Sequence, residues 1–271
     1  MHFMPERVLA KVWAFFDAAA AHYGTEWPIH YRLPEPDRLD RLRALGVIGF
    51  APLVYPHKPG MGEWLTEWAV DFGRRTPGAV PTATLFPEPG VEVYLGKALD
   101  AGARCVKAHV QVGGYDPADP LLDTAWGLLA EAGVPAVVHC GHGPVPGAHT
   151  GLDRYEAVLH RHPRLTAVIA HAGMPDYGAA LDLVARYPNV HLDTTMVGVA
   201  FTERNQPLPA DWPARIADVP DRIVLGTDFP NIPYSYAEQL RAIAGWSDDE
   251  AFLRAVLHDN AARLLGYPTS R

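Results

Sequence analysis

The sequence predicts an α/β barrel, and three observations predict it. Short β-branched runs alternate with helical stretches from residue 46 onward, the runs are apolar at successive positions, and the chain has 271 residues. Alternation of this kind builds a mostly parallel sheet, and barrels of this class commonly use about 250 residues as one unit. The runs from Val134 to Val138 and from Leu165 to Ala170 fit strands that are covered on both faces, because such strands have no solvated side to alternate with.

Seven strands are expected, at 46–55, 79–86, 103–111, 134–141, 165–173, 190–197 and 222–229. Helices fit between and after them at 61–75, 91–101, 118–132, 152–162, 176–187, 210–218 and 236–245. A closing helix at 248–265 has Ser247 as its N-cap and Asp248, Asp249 and Glu250 at the positive end of its dipole. Two further helices, 5–22 and 36–45, precede the first strand. The first opens with Pro5 at the first helical position and carries Val8, Val12, Phe15 and Phe16 on one stripe, as a first helical layer would.

A closed barrel of eight strands starts with a strand, but only Met1 to Met4 precede the first helix, too few to form one. The expectation is a (β/α)8 TIM-like barrel with strand one missing or truncated. Either the barrel is open at this point, or the true start lies upstream of Met1. The second is favoured, because an uncovered edge would expose unpaired backbone and core side chains. No linker or shift in composition divides the chain, so residues 1–271 are expected to form a single barrel domain.

With 31 acidic and 23 basic side chains the net charge is −8, which disfavours nucleic acid and anionic membranes as partners. Cys105 and Cys140 lie in separate apolar runs and form no CxxC pair, so neither a disulfide framework nor a zinc knuckle is indicated and a reduced, cytoplasmic setting is expected. The apolar stretch from Val8 to Ala21 is interrupted by Lys11 and Asp17 and is read as a helix, not a signal peptide.

The polar residues that stand out all fall at the C-terminal tips of expected strands, the face where barrels of this kind carry their chemistry. His139 follows Pro135 to Val138, His171 follows Val168 to Ala170, and Asp228 follows Val224 to Thr227. Lys107 and His109 occupy alternate positions of one run and so share a face. Gly141, Gly173 and Gly226 beside these tips allow close backbone approach. Imidazole and carboxylate together suit a divalent metal, which lowers the pKa of bound water to about 7. His139, His171 and Asp228 taken together indicate a metal or catalytic site.

Five segments carry a resemblance in their order along the chain: Met1-His2-Phe3-Met4-Pro5, Val138-His139-Cys140-Gly141, Ile169-Ala170-His171-Ala172-Gly173, Gly226-Thr227-Asp228-Phe229-Pro230, and Asn260 to Leu265. The chain resembles, over nearly its whole length, the amidohydrolase-related family of metal-dependent hydrolases and decarboxylases, the group of aminocarboxymuconate-semialdehyde decarboxylase. The first segment looks like the tail of the family's His-x-His motif, and the earlier histidine of that pair is absent here. The resemblance implies that His2, His139 and Asp228 hold one divalent ion, most simply zinc, and that His171 acts as acid or base, with Asp228 also able to accept a proton. If Met1 is the real start, His2 is expected on a disordered terminus. Binuclear relatives carry a carbamylated strand-four lysine that bridges two metals, so two ions are implied only if Lys107 is carbamylated. Otherwise Lys107 is expected to contact a substrate carboxylate or to form a structural ion pair, and His109 to line the pocket.

Tyr55, in the loop from Tyr55 to Gly62, is placed to reach a substrate, and the glycine- and proline-rich loop from Gly141 to Gly151 is a candidate lid. Trp64, Trp68 and Phe72 recur at helical spacing and are assigned to packing or to an oligomer contact. The expected activity is hydrolysis of a small carboxylated or carbonyl-bearing molecule through metal-activated water. Metal-dependent decarboxylation of an aromatic or unsaturated acid is the alternative, and a non-catalytic barrel that binds a ligand or partner chain is a third reading from another class. Relatives of this kind are often dimers, so the resemblance also implies a homodimer.

Overall fold

A computed structural model describes residues 1–267. In chain order it contains α1 (Glu6–Asp17), α2 (Ala19–Tyr23), α3 (Glu35–Ala44), α4 (Gly62–Arg75), β1 (Thr82–Thr84), α5 (Val91–Asp100), β2 (Cys105–His109), α6 (Val110–Gly113) and α7 (Pro120–Ala132). There follow β3 (Ala136–His139), α8 (Leu152–Arg161), β4 (Ala167–Ile169), α9 (Tyr177–Arg186), β5 (Val190–Asp193), α10 (Ala200–Glu203), α11 (Trp212–Ala217), β6 (Ile223–Val224), α12 (Tyr236–Ala244), α13 (Glu250–Arg254) and α14 (Asn260–Leu265). The six strands pair in sequence order and in parallel throughout. Each is backed by a helix that buries its apolar face, and Val106, Val138, Ile169 and Leu192 are all fully buried beneath that layer. This is the barrel-type α/β architecture that the alternation predicts.

The gap between β6 and β1 is filled by two irregular segments. The stretch expected as a strand at 46–55 pairs only through one bridge, Phe50 with Ala79. Beside it the Leu53 N–H donates to Met1 O at 2.8 Å, and the His2 N–H donates to Phe229 O at 2.7 Å. Met1 to Phe3 therefore stands where a first strand would stand, between the segment at 50–53 and the end of β6. No strand forms over Met1 to Met4, as the sequence predicts, but His2 is buried, with 5% of its surface exposed, which corrects the expectation of a disordered terminus. The anchor is Phe3, which is fully buried and packs its ring 5.3 Å from that of Phe50 and 5.1 Å from that of Phe72. Burying one phenyl group contributes roughly 1.5–3 kcal/mol, enough to hold so short a segment. Phe72 belongs to the Trp64/Trp68/Phe72 row, which here serves packing.

Smaller differences have local causes. Asp249, and not Ser247, caps the closing helix, accepting from the Ala251 N–H at 2.9 Å. That helix is interrupted by a π-turn at Ala255–Asp259, and Pro5 sits at the N-cap of α1 and not inside it. The run at 222–229 leaves the sheet after Val224. A Cβ on Gly226 would stand 2.6 Å from the Asp193 carboxyl, so glycine is needed where the chain turns towards Asp228. Among the described residues no helix is long and apolar enough to cross a membrane.

Candidate functional site

Four strands deliver chemistry to one mouth. His109 ends β2 and His139 ends β3; they are register partners, and their rings stack 4.2 Å apart. β4 ends one residue before Ala170, where the chain enters a tight turn that puts His171 at φ 56°. Asp228 follows β6 at φ 48°. Left-handed backbone at a non-glycine residue costs of order 1–3 kcal/mol and persists only where the surroundings enforce it. For His171 the enforcing group is Asp193, at the end of β5, whose Oδ1 accepts from the His171 N–H at 3.0 Å and from the Thr195 N–H at 2.9 Å.

The side chains then meet in a row. His2 Nε2 lies 3.1 Å from Asp228 Oδ1, His171 Nε2 lies 3.9 Å from Asp228 Oδ2, and His171 Nε2 lies 3.1 Å from His139 Nδ1. His139 and Asp228 thus share one cavity and are joined through His171. Each imidazole is also oriented from behind by a backbone carbonyl. His2 Nδ1 is 3.0 Å from Leu53 O, His139 Nε2 is 2.9 Å from Gly143 O, and His171 Nδ1 is 3.2 Å from Thr195 O. A carbonyl only accepts, so each of these ring nitrogens carries the proton. The remaining nitrogens, His2 Nε2, His139 Nδ1 and His171 Nε2, then turn lone pairs towards one another and towards a carboxylate.

A donated proton or a bound cation satisfies that arrangement. Burial lowers the pKa of His2 against the pull of Asp228, and burial together with the neighbouring His171 and Lys107 holds His139 well below its ordinary value. Burial works to raise the Asp228 pKa, yet His171, His2 and Lys107 outweigh it and hold the carboxyl well below the usual range. Neutral imidazoles and an ionised carboxylate are the forms in which these groups ligate a metal, and ring N–H groups donated to carbonyls are the usual support behind such ligands. The donor set therefore fits a divalent ion. Among the described residues no group of three or more His, Cys, Asp or Glu stands as a ready-formed metal cage.

The remaining expected residues divide. Tyr55 and His109 line the cavity, with the Tyr55 ring 5.2 Å from that of His2 and 4.8 Å from that of His109. Lys107 does not line it: the side chain is 3% exposed behind the histidines, and burial lowers its pKa against the opposing pull of Asp228 and Asp193. Its amine has no hydrogen-bond or ion-pair partner among the described residues. The loop from Gly143 to Gly147 borders the cavity and is tied down by the Gly143 N–H, which donates to Met174 O at 2.8 Å, and by Gln111 Nε2, which donates to Val145 O.

Two contributors had weaker signals in the sequence. Asp193 sits at a strand tip like the others and could have been found by the same rule. Asn231 could not: its carbonyl accepts from Trp27 Nε1 at 2.7 Å and its Oδ1 from Trp13 Nε1 at 3.0 Å, contacts that span more than 200 residues.

A parallel α/β barrel with histidines and an aspartate gathered at the C-terminal ends of its strands defines the class. The amidohydrolase family pattern matches residues 1–267, and the chain belongs to that family, whose members are generally metal-dependent. Among solved structures it is similar to an uncharacterized TIM-barrel protein from Bordetella bronchiseptica, at 19% identity and a TM-score of 0.76, covering 94% of this chain and 91% of that one. It is similar to the 5-carboxyvanillate decarboxylase of Sphingomonas paucimobilis, at 17% identity and a TM-score of 0.62, covering 86% of this chain and 83% of that one. A third similar structure is a candidate 2-pyrone-4,6-dicarboxylic acid hydrolase from Pseudomonas putida, at 16% identity and a TM-score of 0.63, covering 93% of this chain and 94% of that one. At these identities the likeness establishes the fold. No curated protein matches the chain.

Proposed function

We propose that the chain is a metal-dependent hydrolase of a small carbonyl-bearing molecule. The observation that carries this reading is the row of three imidazoles and one carboxylate, His2 Nε2 3.1 Å from Asp228 Oδ1 and His171 Nε2 3.1 Å from His139 Nδ1, each ring held from behind by a carbonyl. His2, His139 and Asp228 would hold a single ion, with zinc the first choice for a nitrogen-rich set. When bound, such an ion supplies Lewis acidity and brings the pKa of water to about 7.

The chain's own residues do the rest. His171, with its Nδ1 proton fixed on Thr195 O, has Nε2 free to take the proton released by attacking water and return it to the leaving group. Asp193 fixes the backbone of His171, which keeps that nitrogen on target. The Tyr55 hydroxyl, kept neutral by burial, and His109, also neutral, orient the substrate from the cavity wall.

The test is a turnover screen of the zinc-loaded chain against lactones and amides, with aromatic and unsaturated acids in parallel. Cleavage that incorporates solvent oxygen supports the hydrolase. Release of carbon dioxide without cleavage replaces it with the decarboxylase, and a chain that takes up no metal and turns nothing over is a binding protein.

A further inference from the structure

The apolar stripe of α1 does two things at once: Val8 and Val12 pack with Val54, Met61 and Leu65, and the stripe also faces a cavity. Val8, Val12, Phe15 and Phe16 line the cavity of about 690 Å³ above the histidines, Phe15 and Phe16 at its outer part. Phe15 is left 43% exposed there, so a phenyl group worth roughly 1.5–3 kcal/mol when buried is held open at the entrance. The wall continues as a row of rings: Phe16 stacks 5.1 Å from Trp27, and Trp27 meets Phe201 edge-on at 4.9 Å. Trp27 is pinned to Asn231, three residues past Asp228, so this wall is registered to the reactive centre.

The charges in the cavity are as telling. Lys11, on the exposed side of α1, is the only lysine in its lining, and no arginine lines it among the described residues. Apart from the central groups, Lys11 and the imidazoles of His22, His57 and His109, the polar lining is made of uncharged side chains such as Gln111, Asn205 and Gln206. A carboxylate on the outer part of a substrate would lose its water there and find no bidentate partner. An aryl or aliphatic group would cover Phe15 and Phe16.

Resting on the reading of the site as a hydrolase centre, we infer that the substrate carries, away from its reacting carbonyl, an uncharged aromatic or aliphatic arm that packs against Phe15, Phe16 and Trp27. The cavity is of the size that takes such ligands whole.

Two amides of similar length separate an apolar arm from a charged one: 4-phenylbutanamide and glutaramic acid. Their binding to the full chain is measured by calorimetry, with and without zinc, so that the result does not depend on turnover. The phenyl compound is expected to bind at least tenfold more tightly. Phe16→Ala should weaken it about tenfold and leave glutaramic acid unmoved. Phe15→Ser, at a partly exposed position where the fold is not at stake, should weaken it several-fold. Equal or tighter binding of glutaramic acid, failure of both compounds to bind, or indifference of the phenyl compound to both substitutions overturns the inference. Tight phenyl binding without cleavage of any amide counts against the hydrolase alone, while cleavage with a preference for the charged arm counts against the apolar arm alone.

Discussion

His171 Nε2 stands 3.1 Å from His139 Nδ1, and both rings give their other nitrogen's proton to a backbone carbonyl. The two residues come from neighbouring strands, β3 and the turn after β4, yet their tasks in the proposed mechanism differ. His139→Ala removes a ligand and should lower zinc affinity by more than about 100-fold, since loss of a mere supporting group already costs 10–100-fold. His171→Asn should keep zinc within about tenfold and reduce turnover by roughly 10²–10⁴. Zinc titration and steady-state kinetics on the two variants check the division; loss of the ion from both would make His171 a ligand.

Asp193 is the support that holds this pair in place. Asp193→Ala leaves the buried N–H groups of His171 and Thr195 without an acceptor, at about 1–3 kcal/mol each. The expected result is a loss of roughly 2–6 kcal/mol in denaturant unfolding, with activity lost beyond what the unfolded fraction explains. A variant as stable as the parent would show that the strained turn at His171 is self-supporting.

The short segment at the start of the chain depends on one ring. Phe3→Ala should cost about 3–5 kcal/mol, the usual range for emptying a phenyl site in a core, and should release His2 from the cluster. Unfolding midpoints and zinc affinity should fall together. If zinc binding survives unchanged, His2 is not held by this anchor.

His191, on the same strand as Asp193 but away from the site, gives the chain an acid-side sensitivity. Burial, opposed by a hydrogen bond to the Asn189 carbonyl and aided by Arg222 and Arg263, lowers its pKa from 6.5 to about 4. Between those values the unfolded chain binds a proton at this ring that the folded chain refuses. Stability is therefore lost as pH falls from 6.5 to about 4 and does not fall further on this account below it. The ceiling is about 3 kcal/mol. His191→Gln should flatten the slope of unfolding free energy against pH over that window, and an unchanged slope would assign the effect to other groups.

Much of this was legible before any coordinates. The helices fall within a few residues of their expected places because their apolar periodicity and their glycine and proline boundaries are local properties. His139, His171 and Asp228 can be read together from the sequence because a parallel barrel brings every strand tip to one face. What escaped notice was non-local. Met1 to Phe3 fills the place of strand one through the burial of Phe3 between Phe50 and Phe72, which no window of a few residues contains. The stripe on α1 was visible, but whether it met the barrel or the cavity depended on where the helix was carried. Trp27 and Phe201 reach the site from loops, where spacing carries no signal.

The central claim is that His2, His139 and Asp228 gather around one cation, and zinc titration of metal-stripped protein tests it most directly. The account predicts one zinc per chain, a melting temperature that rises with added zinc as expected for ligand held by the folded state alone, and loss of both in Asp228→Asn. A stripped protein that binds no zinc, or an Asp228→Asn variant that binds it as tightly as the parent, would contradict it.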